Sequence, residues 1–194
     1  MRRALTLMAL AMLAACNGPA EDTAPNAVAA NNMASLPDNA AAINVAAPAT
    51  EDAPLDRFGP IRIGATIADL ASEGLKVASR DEPMPGSTCS YARFEGLPDV
   101  AAMLDGEKIV RIDISGKQHE GPHGLRIGQS EADALARLGS AKVDLHPYTG
   151  PEGHYLILHK DGAPYGLIAE TDGKSVLRWR IGQWEQVQWV ESCF

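Results

Sequence analysis

Histidine, glutamate and cysteine are the side chains with which this chain could do chemistry, and two of its five histidines flank a glutamate in Gln118–Gly128, QHEGPHGLRIG. His119, Glu120 and His123 spell H-E-x-x-H there. In that pattern a helix sets two imidazoles one turn apart on a zinc ion, with a carboxylate beside the metal. The two intervening residues are Gly121 and Pro122. Proline lacks an amide hydrogen, clashes with the preceding turn and drives the residue before it out of the α region. The helix that would assemble the metal site is therefore not expected, and no further ligand follows at a zinc-peptidase spacing. His146, His154 and His159 lie along strand-like sequence without tight ligand spacing. No metal, cofactor or catalytic residue is assigned, since G-x-S-x-G, P-loop and S-x-x-K patterns are missing as well.

The cysteines at 16, 89 and 193 say more. Arg2-Arg3, an apolar run from Ala4 to Met12, and Leu13-Ala14-Ala15-Cys16 have the charged start, short apolar middle and small-residue end of a signal peptide. The run is too short to span a membrane. Leu-Ala-Ala-Cys resembles the lipobox of bacterial lipoproteins. The resemblance implies cleavage after residue 15 and acylation of Cys16 on its sulfur and its new amine, as an anchor worth about 0.8 kcal/mol per buried CH₂. Asn17 in place of Asp points, by the same resemblance, to the outer membrane with the domain facing the periplasm. In an exported chain the remaining cysteines, Cys89 and Cys193, most simply pair.

Residues 17–54 contain thirteen Ala, six Asn and five Pro with no aromatic, Lys or Arg, a composition that buries too little apolar surface to fold. Residues 16–56 are expected to be the lipidated Cys and a tether with a root-mean-square span of roughly 35 Å. Glu21, Asp22, Asp38, Glu51 and Asp52 concentrate there much of the net charge of −8. The remainder, 57–194, is only mildly acidic, which argues against nucleic acid or an anionic membrane face as its partner.

The elements of that domain repeat. GPIRIGATIADLA at 59–71 aligns with GPHGLRIGQSEADAL at 121–135 once the second copy takes two extra residues. Each Arg-Ile-Gly precedes a hydroxyl with an acid three residues on, Thr66 with Asp69 and Ser130 with Asp133, the signature of a capped helix start. The first helix should bury Ile67, Leu70 and Ala71, and the second Ala134, Leu135 and Leu138 before Gly139 ends it. DGEKIVRIDIS at 105–115 then matches DGKSVLRWRIG at 172–182 without a gap, each a turn followed by an alternating strand. Further strands are expected at 88–94, 100–104, 154–159, 166–170 and 187–193. The reading is α+β: two tandem helix-then-strands repeats, 57–118 and 119–194, forming antiparallel sheet with helices on one face. Ile112, Ile114, Leu177, Trp179 and Ile181 should face the core, and Trp184 and Trp189 should be partly exposed. Arg111, Asp113, Arg178 and Arg180 should lie on the free sheet face as the candidate binding surface.

Tandem units opening on [IL]-R-I-G-x-[ST]-x-x-D, at Ile61–Leu70 and Leu125–Leu135, resemble the β-lactamase-inhibitor-protein-like fold. With the lipobox and the cysteine pair, they also resemble the small lipoprotein of the outer-membrane β-barrel assembly machine and proteobacterial lipoproteins more broadly. The resemblance implies non-enzymatic binding of a protein or envelope component. The alternative left open is an envelope hydrolase, with any metal drawn from the histidines.

Overall fold

A computed structural model describes residues 53–193, which belong to one compact unit. The leader, Cys16 and the tether up to residue 52 lie outside the described residues, as does Phe194. Strands β1 (Arg57–Phe58) and β2 (Ile61–Arg62) pair as a small antiparallel ribbon. Helix α1 (Ile67–Ser72) follows, then β3 (Val77–Arg80), β4 (Cys89–Phe94), β5 (Val100–Asp105) and β6 (Lys108–Ile114). A 3-10 turn at Pro122–Gly124 leads into α2 (Glu131–Leu138). Strands β7 (Lys142–Leu145), β8 (His154–Leu158), β9 (Tyr165–Thr171) and β10 (Val176–Gln183) come next, and one helical turn, α3 (Trp184–Val187), closes the order. The fold is α+β. Strands β3 to β10 make one antiparallel eight-stranded sheet in the order β3-β4-β5-β6-β10-β9-β8-β7.

The helix starts form where their hydroxyls and acids stand. Thr66 accepts from the Asp69 amide while the Asp69 carboxylate takes the Thr66 amide at 2.8 Å, and Ser130 accepts from the Asp133 amide at 3.1 Å. Each such cap contributes about 1 kcal/mol. Gly139, at φ +64°, ends α2 in the left-handed region that suits glycine. The turn before each helix is tied to its sheet. The Gly64 amide donates to the Ile109 carbonyl and the Ile109 amide to Ala65, at 2.7 and 2.9 Å. The Gly128 amide likewise donates to Val176 and the Val176 amide to Gln129, at 2.8 and 3.0 Å.

The core fills the space between the sheet and the first two helices. Leu70 of α1 and Ala134 and Leu138 of α2 pack with Ile112, Ile114, Leu167, Trp179 and Ile181. Each large apolar side chain buried there is worth about 1.5–3 kcal/mol. Ala71, expected in this core, is exposed, and Ile67 and Leu135 are half-buried. Leu177, also expected in the core, is 51% exposed because the β9–β10 register shifts between Val176 and Arg178, and the bulge turns Val176 inward in its place. Strand β3 is mostly exposed and β7 wholly so. As edge strands they bury little, so their sequences carry no clear alternation.

The chain after β10 departs from expectation. In place of a strand over 187–193, it makes the helical turn α3 and then turns and bends through 188–193, and Val187 packs with Tyr155 and Ile168 and with the half-buried Trp184. Ile168 alternates with core-facing Leu167 and Ala169, so α3 lies on the sheet face opposite α1 and α2. The helices therefore do not share one face. Among the described residues no helix is long and apolar enough to cross a membrane.

Candidate functional site

Strand alternation places Arg111, Asp113, Arg178 and Arg180 on that second face, and the β6–β10 register sets Asp113 opposite Arg180. The expected open surface is corrected by α3 and residues 188–193, which lie across part of it. Arg111 and Arg180 are only 3% and 4% exposed. The Arg178 side chain stays 62% exposed and that of Asp113 28%.

Arg111 spends every donor of its guanidinium. Its Nε donates to the Asp113 carboxylate at 3.0 Å. Nη1 donates to the carbonyls of Gln186 and Trp189, at 3.1 and 2.7 Å. Nη2 donates to the hydroxyls of Tyr91 and Ser192, at 3.0 and 3.1 Å. A cation there satisfies carbonyls left free where α3 ends. Burial works against the Arg111 charge, yet Asp113 more than offsets it, and the guanidinium titrates above its ordinary value. Tyr91 donates to Asp113 at 3.0 Å, and burial with the Asp113 charge pushes its phenol up to about 12. The Cys89–Cys193 disulfide, with Cα atoms 5.4 Å apart, ties the last residues to β4 beside this clamp. Arg111 thus fastens the C-terminal segment.

Arg178 and Arg180 are used differently. Both bond Glu170, Arg178 through Nε and Arg180 through Nη1, and Arg180 Nε donates to the Val187 carbonyl at 2.6 Å. Arg180 also lies 5.2 Å from the centre of the Tyr155 ring. His146 turns Nε2 toward Glu170 at 3.4 Å, while its Nδ1 accepts from the amides of Tyr148 and Thr149. Burial would raise the Glu170 carboxyl, but Arg180 and Arg178 outweigh it, so Glu170 titrates below the ordinary glutamate range. Arg180 Nη2 is buried with no hydrogen-bond partner. The terminal nitrogens of Arg178 bond no group among the described residues.

Arg178 and Arg180 both line a cleft of about 350 Å³. Arg178 and Glu170 lie on the β9–β10 side, Arg93 and Asp81 on the β3–β4 side with a 2.9 Å ion pair, and Val190 and Ser192 of the C-terminal segment also line it. Four guanidiniums against three carboxylates leave its lining with one net positive charge. A larger hollow of about 670 Å³, lined by Leu145, Tyr155, Ile157, Ile168 and Trp184 among others, lies beside α3 and is mainly apolar.

The H-E-x-x-H residues come to no common centre. His119 Nε2 pairs with the Pro98 carbonyl at 2.7 Å, and His123 sits at φ +57° inside the 3-10 turn, its imidazole titrating below the ordinary histidine value because it is partly buried. Gly121 is extended and passes over Trp179, where a Cβ would lie 2.6 Å from the indole. Among the described residues no three His, Cys, Asp or Glu side chains group closely enough to hold a metal. His154 is paired with Glu131 at 2.9 Å, and His159 stacks on Trp184 at 3.8 Å. Sequence reasoning missed Tyr91, Glu170 and the carbonyls of 186–189. Glu170 was legible as outward-facing by alternation, but a four-residue helix has no period from which its covering role could be read.

No protein-family model matches the chain, and no curated protein matches it. Among solved structures it is similar to an extracellular protein containing an SCP domain from Bacillus anthracis str. Ames. Identity is 12% and the TM-score 0.42, over 63% of this chain and 44% of that one. The match spans less than half of that protein's length, and a likeness at this level carries no functional argument.

Proposed function

We propose that this chain is a non-catalytic lipoprotein of the bacterial envelope, anchored through acylated Cys16, in the outer membrane on the Asn17 signal. Its folded domain faces the periplasm and binds a protein or envelope component in the arginine cleft. The supporting observation is the contrast between neighbouring arginines: Arg111 has no donor left, while Arg178 and Arg180, which line a cleft, keep donors without a partner among the described residues. The buried Arg180 Nη2 is costly without a partner, and a bound acceptor would satisfy it, while the Arg178 donors stand open to solvent. The test is a photo-crosslinker at Ser115, an exposed cleft residue, in the full-length protein in its membrane. A discrete adduct that Arg178→Glu abolishes is expected. An adduct unaffected by Arg178→Glu places binding elsewhere.

We further propose that the domain is two tandem units, 57–118 and 119–194. The alignment that pairs 105–115 with 172–182 makes Ile109 equivalent to Val176, and the ties of Gly64 and Gly128 fall on those two residues. It also makes Lys108 equivalent to Ser175, and these are the bridge partners of Thr66 and Ser130. The register shifts follow the same rule, passing over Val110 in β6 and Leu177 in β10. Strand order supports the reading too, since the two sets of four run outward from the central β6–β10 pair.

A further inference from the structure

We infer that the arginine cleft is a site for a peptide ending in a free carboxylate, an inference that rests on the binding-cleft reading above. The chemistry of the unused donors selects the group. Arg180 Nη2 is buried and unpartnered, the terminal nitrogens of Arg178 stand free on the same strand face two residues away, and both side chains are held by Glu170 through other nitrogens. Glu170 therefore positions two guanidiniums without consuming them. Fixed, planar N–H donors match a carboxylate's two oxygens, and bonds between two ionised groups are about twice as strong as neutral ones.

Charge and shape narrow the class further. One net positive charge in the lining is balanced by a single negative charge, so a dianionic phosphate monoester would leave an excess negative charge among Asp81, Asp113 and Glu170. A volume of about 350 Å³ is at the small end of ligand pockets and holds a terminal residue or two. Arg93, across the cleft, spends only Nη1 on Asp81 and keeps donors for the peptide's carbonyls.

The experiment uses detergent-solubilised full-length protein and three probes at millimolar concentration: acetyl-L-Ala-L-Ala acid, acetyl-L-Ala-D-Ala acid and acetyl-L-Ala-L-Ala amide. At least one acid should raise the melting temperature saturably while the amide does not. An L-selective response points to protein C-termini, and a D-selective one to peptides of the cell wall. Arg178→Gln, measured against its own unliganded melting temperature, should weaken the acid's apparent affinity about tenfold or more, with Arg178→Lys intermediate. Equal response to acid and amide, no response to either acid, or an unchanged affinity in Arg178→Gln overturns the carboxylate site. If the Ser115 adduct still depends on Arg178 in that event, the cleft binds another class of ligand; if it does not, the binding-cleft reading fails too.

Discussion

Tyr91 and Glu170 show how burial and charge act on single side chains beneath the C-terminal segment. The Tyr91 phenol is raised from 10.0 to about 12, so the unfolded chain ionises first as the solution becomes alkaline. Its stabilisation is complete below pH 10 and lost as pH rises toward 12, a fall on the order of 2–3 kcal/mol. Urea unfolding across that range should show the fall, and Tyr91→Phe, though less stable at neutral pH, should lack it. Glu170 has the opposite sign: its lowered value gives stability that is present above about pH 4.3, the ordinary glutamate value, and lost as pH falls through its folded value. Glu170→Gln should cost about 3–5 kcal/mol at pH 7, since it leaves Arg180 buried without its counter-ion. Chemical denaturation measures this, and an unchanged midpoint would mean that Val187 and Tyr155 hold Arg180 unaided.

The elements that decide the site are α3 and the segment behind it. Arg111 and Arg180 secure the carbonyls of 186, 187 and 189, and the disulfide secures the end, closing a loop with a sequence separation of 104. A loop of that size is worth up to about 4.7 kcal/mol in the chain-entropy account. Protein purified without reductant should show no titratable thiol under denaturation. Cys89→Ser with Cys193→Ser should melt lower and exchange the amides of 186–193 faster than the rest of the domain. Uniform exchange would mean that the arginine clamp suffices alone. The opposite face depends on Trp179, 1% exposed and in contact with Gly121. Trp179→Ala should destabilise the domain by about 3–5 kcal/mol, measured by the same denaturation.

At the scale of the whole molecule, the anchor and the domain are separate predictions. Cys16→Ala should abolish labelling by a fatty-acid analogue and release the protein from sedimenting membranes, with the domain's melting temperature unchanged. Persistent label would remove Cys16 as the anchor. Local pattern alone determined much of the fold. The hydroxyl–acid pairs at 66–69 and 130–133 marked both longer helices, and alternation at Ile112, Ile114, Trp179 and Ile181 marked the core-facing side of the central strands. The Gly121-Pro122 dipeptide ruled out a metal-binding helix at residue 119. These features were legible because caps, strand period and proline sterics act within a few residues. Tertiary structure alone decided which of four outward charges remained accessible. Arg111 and Arg178 hold matching places in the two aligned strands, yet α3 and the disulfide-held segment cover only the first. That covering rests on bonds between residues more than seventy positions apart, such as Arg111 to Gln186, and no local pattern records a contact at that range.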